Sequence, residues 1–226
     1  MKWSRWRVQL ILREHEMKNF LERYLGFDEA TRLTFLSRII QAASGVIALV
    51  LVGAYCNDVQ QGLYFTFLSL IGLQIFFELG INTIIVQFTA HEMPSISLTA
   101  QEIVGPIQNI SRLSSLLRIS LRFFIYTCLP LIVILLLTGW IVFDPIEDKS
   151  SLLEVGYPWL LLVLATTALF LITPIISFLE GLGLVVEVAK MRLIQYVAYS
   201  VTLILSLLAG KHVFSLGLAS LVSAFV

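Results

Sequence analysis

Charge is scarce in this chain of 226 residues: only 13% of its side chains are Asp, Glu, Lys or Arg, where a soluble domain carries about 25%. Acids and bases balance at 15 each, so no global basic field draws the chain to nucleic acid. Histidine and cysteine are few and scattered. His15, His91 and His212 show no His-Glu-x-x-His or Cys/His ligand spacing, and Cys56 and Cys128 belong at different depths, too far apart for a disulfide. No Gly-x-x-x-x-Gly-Lys-Ser/Thr phosphate loop occurs, so the chain is not an ATP motor by itself. No pair of carboxylates converges on a wet active site, and Asp144, Glu147 and Asp148 read as a solvated loop. The expectation is a protein without catalytic residues, metal or cofactor.

What is abundant is apolar. Hydrophobic residues make up 58% of the chain and mean hydropathy is +0.91, and apolar runs long enough to cross a hydrocarbon core of about 30 Å recur along it. The reading is an all-α, polytopic membrane helix bundle of about six transmembrane helices. Spans are expected over residues 33–56, 62–88, 120–143, 157–179 and 190–210, with an incomplete sixth over 212–226. Residues 1–31 form a cytoplasmic N-terminal segment that could rest Trp3, Trp6, Leu10, Leu21 and Leu25 on the membrane surface, and residues 89–119 a polar cytoplasmic loop. Basic residues set the orientation. Eight of them precede or open the first span, Arg112, Arg118 and Arg122 lie between the second and third, and Lys190 and Arg192 between the fourth and fifth, whereas the alternate connections are nearly devoid of them. The positive-inside rule therefore predicts a multi-pass protein of the inner (cytoplasmic) membrane with its N-terminus in the cytoplasm.

Polar residues inside the spans are not scattered. Gln74, Glu78 and Asn82 follow one another at intervals of four, which at about 100° per residue places them on one narrow stripe. The first span gathers Ser37, Arg38, Gln41, Ser44, Gly45 and Ala48 on about a third of its surface; the fourth aligns Thr166, Thr173, Ser177 and Glu180; the fifth aligns Arg192, Gln195, Tyr196, Tyr199, Thr202 and Ser206. Small and hydroxylated residues alone argue only for close helix packing in lipid. A carboxylate argues for more, because placing one at the bilayer centre costs at least about 2.5–3.5 kcal/mol. Glu78, near the middle of the second span, could be protonated, paired with Arg38, or exposed to an aqueous cavity. Glu78, Arg38, Gln41, Gln74, Asn82, Gln195 and Tyr199 are the candidate pathway or coupling residues, with the rings of Tyr196 and Phe170 on the same faces. Gly181 and Gly183 form either a tight turn or a hinge between the fourth and fifth spans.

Two segments carry a resemblance. QGLYFTFLSLIGLQIFFELGINTIIVQFTAHE, followed by a basic segment and later by SFLEGLGLVVEVAKMRLIQ, resembles the polysaccharide and O-antigen flippases of the multidrug/oligosaccharidyl-lipid/polysaccharide exporter superfamily. The matching positions are Gly62 and Tyr64, then Glu78, Leu79 and Gly80, then Leu179 to Gly183. The resemblance implies one lobe of a two-lobe all-helical exporter that rocks to move a lipid-linked oligosaccharide of the undecaprenyl type across the membrane for polysaccharide biosynthesis. Its implied partners are that cargo, membrane lipids, and a C-terminal lobe or second copy. The chain departs from the pattern at Val86-Gln87-Phe88, where such flippases often keep an arginine. A cation-coupled small-molecule antiporter, or a non-transporting component of envelope polysaccharide assembly, are the alternatives.

Overall fold

A computed structural model of the chain describes residues 28–78, 80–95, 97–98, 103–143 and 155–226. The expected surface helix within residues 1–31, Leu79 and the acidic group at Asp144, Glu147 and Asp148 lie outside the described residues, apart from positions 28–31. The fold is an all-α polytopic bundle. Its helices are α1 (Glu29–Tyr55), α2 (Asp58–Ile71), α3 (Gln74–Glu78), α4 (Ile81–Glu92), α5 (Ile107–Phe143), α6 (Tyr157–Gly181), α7 (Val185–Leu208) and α8 (Phe214–Phe225). Among the described residues, five segments are long and apolar enough to cross a membrane: α1, α2 with α3, α5, α6 and α7.

Local chemistry sets the helix ends. Asp28 accepts the Glu29 N–H at 2.8 Å, and Asn57 opens α2 in a reciprocal cap with Gln60, each side chain accepting from the other's backbone N–H, at 2.8 and 3.2 Å. Helices α6 and α7 both end in a left-handed glycine, Gly183 at φ +85° and Gly210 at φ +71°. At each end the backbone N–H after the glycine reaches five residues back, Leu184 to the Leu179 carbonyl and Lys211 to that of Ser206. Such a turn reverses the chain while satisfying carbonyls the helix leaves open.

The second expected span is not one helix. A tight turn at Gly72-Leu73 separates α2 from α3, and Gly80, left-handed at φ +69°, separates α3 from α4. Apolar periodicity over 62–88 continues unbroken through both interruptions, so hydropathy alone could not show them. The apolar segment running from Asp58 therefore ends on Glu78, and the carboxylate stands at a helix break rather than mid-span. The expected loop over 89–119 also holds more structure. Helix α4 runs on to Glu92, a two-residue antiparallel ladder pairs Ser97–Leu98 with Ile103–Val104, and α5 begins at Ile107. With no breaker between Pro106 and Pro130, the basic stretch around Arg112 and Arg118 is continuous with the membrane-crossing part. At 1.5 Å per residue, the 37 residues of α5 measure about 55 Å, well beyond a hydrocarbon core.

Helix α6 is central, packed by α4, α5 and α8, while α1 runs along α7. The bundle has two unlike ends. One holds the ion pairs Lys190–Glu29 (3.3 Å), Arg192–Glu180 (2.8 Å) and Arg112–Glu92 (3.4 Å). At the other, Cys56 at the end of α1 lies with its Sγ 3.6 Å from His212 Nδ1. Both cysteines are free.

The core between α2, α5 and α6 centres on Trp159, which packs on Phe67 with centroids 4.9 Å apart and donates its indole N–H to the Leu135 carbonyl at 3.2 Å. Gly139 makes room for it: a Cβ there would sit 2.1 Å from Trp159 Nε1. Gly139→Ala is expected to push the ring off its acceptor and cost about 1–3 kcal/mol. Thermal melting of the detergent-purified protein checks this, and a wild-type melting point would mean the indole is seated elsewhere.

Candidate functional site

The polar stripes of the separate helices converge. A cleft of about 740 Å³ opens between the α1–α7 pair and the α2, α4 and α6 side, with α8 contributing Ser223. Helix α1 supplies Gln41, Ser44, Gly45, Ala48 and Leu49; α6 supplies Thr173 and Ser177 with Leu169 and Ile176. Helix α7 contributes the largest share of the polar wall, with Arg192, Gln195, Tyr196, Tyr199 and Ser200. Opposite stand Tyr64, Phe65 and Leu68 of α2 and Asn82 of α4.

The periodicity explains why these residues meet. On α1 the positions Gln41, Ser44, Gly45 and Ala48 repeat every three or four residues, and Arg192, Gln195, Tyr196, Tyr199 and Ser200 do the same on α7. Because α1 and α7 lie side by side, these two faces form one continuous wall. Hydroxyl groups in the wall are largely satisfied locally. Ser44 donates to the Gln41 carbonyl at 2.9 Å, Thr173 to that of Leu169 at 3.0 Å and Ser200 to that of Tyr196 at 2.7 Å. Their second lone pairs stay available to accept, so this wall can receive hydroxyl donors without first breaking its own bonds.

Glu78 has partners other than the one expected. Its carboxylate accepts from Gln74 Nε2 at 3.0 Å and from Asn82 Nδ2 at 2.9 Å, so the stripe closes on itself as a clasp. Arg38 does not pair with Glu78. It is exposed, and its guanidinium donates to Gln41 Oε1 at 3.2 Å, one turn along its own helix. An arginine on α1 reaches outward along the helix more cheaply than it crosses an apolar gap. The clasp spans the break at Gly80, with Gln74 before it and Asn82 after it. A carboxylate only accepts, so both amides must present their NH₂ groups to it. Asn82 Oδ1 is thereby left buried without a donor.

Of the sequence-stripe candidates, Gln41, Asn82, Gln195 and Tyr199 line the cleft. Glu78 and Arg38 lie one contact behind the lining, through Asn82 and Gln41, and Gln74 stands behind Glu78. Phe170 is not available to stack on a ligand. It is fully buried against Phe124, with centroids 4.8 Å apart. Two residues are more prominent than the sequence suggested. Tyr64 lines the cleft while nearly fully buried, and Arg192 is the charged side chain of the lining, held by Glu180 at 2.8 Å. The polar stripe of α7 already held Arg192, but only the packing of α7 against α1 shows that it faces the cleft.

Gly181 and Gly183 differ in kind. Gly181 is buried where α6 meets α4, and a Cβ there would lie 2.6 Å from Thr89 Cβ and 2.8 Å from the Val86 carbonyl oxygen. Gly183 has open space around it but a left-handed backbone. The first permits close approach of helices; the second permits the turn. Among protein-family models, curated proteins and solved structures, none matches this chain.

Proposed function

We propose that the chain is a membrane transporter that carries a lipid-linked oligosaccharide of the undecaprenyl type across the cytoplasmic membrane. The observation that supports this most is the cleft itself: amide, hydroxyl and tyrosine side chains from six helices face one space inside a largely apolar bundle. Leu49 of α1 and Phe65 and Leu68 of α2 line that space and are exposed. A greasy flank beside a wet wall suits a cargo with a sugar head and a prenyl tail. The resemblance to polysaccharide flippases in the Glu78 and Gly181 regions points the same way. We place the end that holds Lys190, Arg192 and Arg112 in the cytoplasm by the positive-inside rule.

The test is a flipping assay in vesicles that contain only this protein. Fluorescent undecaprenyl-linked glycan should exchange between leaflets faster than in empty vesicles, and Ser44→Trp, which fills the cleft, should return the rate to background. Exchange no faster than in empty vesicles would overturn the reading. The antiporter alternative is favoured by the volume, since about 740 Å³ lies within the usual range of small-molecule sites, about 300–1,000 Å³. Proton-driven uptake of ethidium in the same vesicles, with no glycan exchange, would select it.

A further inference from the structure

We infer that the sugar portion of the cargo this cleft accepts is an uncharged, polyhydroxylated one, and that Glu180 enforces this by holding Arg192 neutralised. The inference rests on the transport reading above and names the cargo class for it. Arg192 is the charged residue of the lining, and an unpaired guanidinium there would favour acidic sugars or other anions. It is not unpaired. Its Nη2 lies 2.8 Å from Glu180 Oε2, a contact made possible because the turn at Gly183 brings the start of α7 back beside the end of α6. An incoming carboxylate would meet a guanidinium whose charge Glu180 already offsets, and would have to approach the negative charge of Glu180.

The charges one contact behind the lining balance as well. Arg38 reaches the cleft through Gln41, and Glu78 through Asn82. Two cations thus face two carboxylates around the space, and neither sign dominates. The rest of the polar wall is amide, hydroxyl and tyrosine groups, Gln41, Asn82, Gln195 and Ser44 among them. Neutral amides and hydroxyls both donate and accept, which matches the hydroxyl groups of a neutral sugar. Tyr64, Tyr196 and Tyr199 add flat apolar faces with a polar tip.

The test is equilibrium binding of radiolabelled maltotriose and trigalacturonate to the full chain in lipid nanodiscs, read as the ratio of the two affinities. The wild-type protein should favour maltotriose by at least about tenfold. Glu180→Gln should move the ratio about tenfold toward trigalacturonate, because Arg192 is released to bind a carboxylate. Adding Arg192→Gln to Glu180→Gln should abolish that move, and it keeps the charge balance of the wild type if the single variant folds poorly. Preference of the wild type for trigalacturonate, or an unmoved ratio in Glu180→Gln, would overturn the inference and leave the transport reading standing. Binding of neither sugar by the wild type, together with no glycan exchange in vesicles, would overturn both.

Discussion

Gly181→Val is expected to remove most of the folded protein, whereas Gly183→Ala should leave it folded. At position 181 the first added carbon already meets the Thr89 side chain at 2.6 Å and the Val86 carbonyl at 2.8 Å. The second of these is backbone inside α4 and cannot swing aside. Valine adds two further methyl groups, so α4 and α6 must separate, at a cost of about 3 kcal/mol or more, the upper range for overpacking a tight contact. At position 183 nothing lies within 4 Å of a Cβ, and only the left-handed backbone resists, at about 1 kcal/mol. Thermal melting of both variants in detergent, with the monodisperse yield, separates the two. If Gly181→Val melts like the wild type, the α4–α6 seam is looser than described. If Gly183→Ala keeps its melting point within a few degrees but loses glycan exchange, the turn is a moving part of transport.

Glu78→Leu should be nearly as damaging, for a different reason. The substitution removes the acceptor for two amide NH₂ groups, Gln74 Nε2 and Asn82 Nδ2, at a break where α3 and α4 have no continuous backbone ladder between them. Each donor left without a partner costs about 1–3 kcal/mol, so a combined loss of about 2–6 kcal/mol is expected, part of it recovered because leucine is cheaper than a carboxylate in an apolar setting. Glu78→Gln retains one acceptor oxygen and should lose roughly half as much. Melting temperatures of the two variants give the order. Equal stability of Glu78→Leu and the wild type would show that the clasp does not hold the break. The two variants also address coupling. Full glycan exchange by Glu78→Gln at every pH would confine Glu78 to a structural role.

Much of the architecture was legible from hydropathy because lipid imposes a simple rule: a segment crossing it must be apolar and must satisfy its own backbone. Spans expected at 157–179 and 190–210 correspond to α6 at 157–181 and α7 at 185–208. The rule is silent about breaks. Gly72 and Gly80 interrupt a run that stays apolar throughout, and an apolar run with glycine is compatible with either a straight helix or a broken one. It is equally silent about helix that continues past the membrane, which is why the basic turns of α5 read as loop.

The site divides in the same way. Residue spacing along single helices was sufficient to place Gln74, Glu78 and Asn82 on one stripe and to align Gln195 with Tyr199, because a helix turns by a constant angle whatever surrounds it. Which stripes face each other depends on the order of helices in the bundle, a long-range property that spacing does not encode. Only the tertiary structure decided that α1 lies along α7, that Gln41 therefore shares a cleft with Gln195, and that Phe170 is sealed against Phe124 instead. Charge pairing followed the same division. The sequence put Arg38, Glu78, Glu180 and Arg192 near the cleft-forming faces, but an ion pair forms over a few ångströms. Geometry alone joined Glu180 to Arg192 across the Gly183 turn and left Glu78 to two amides.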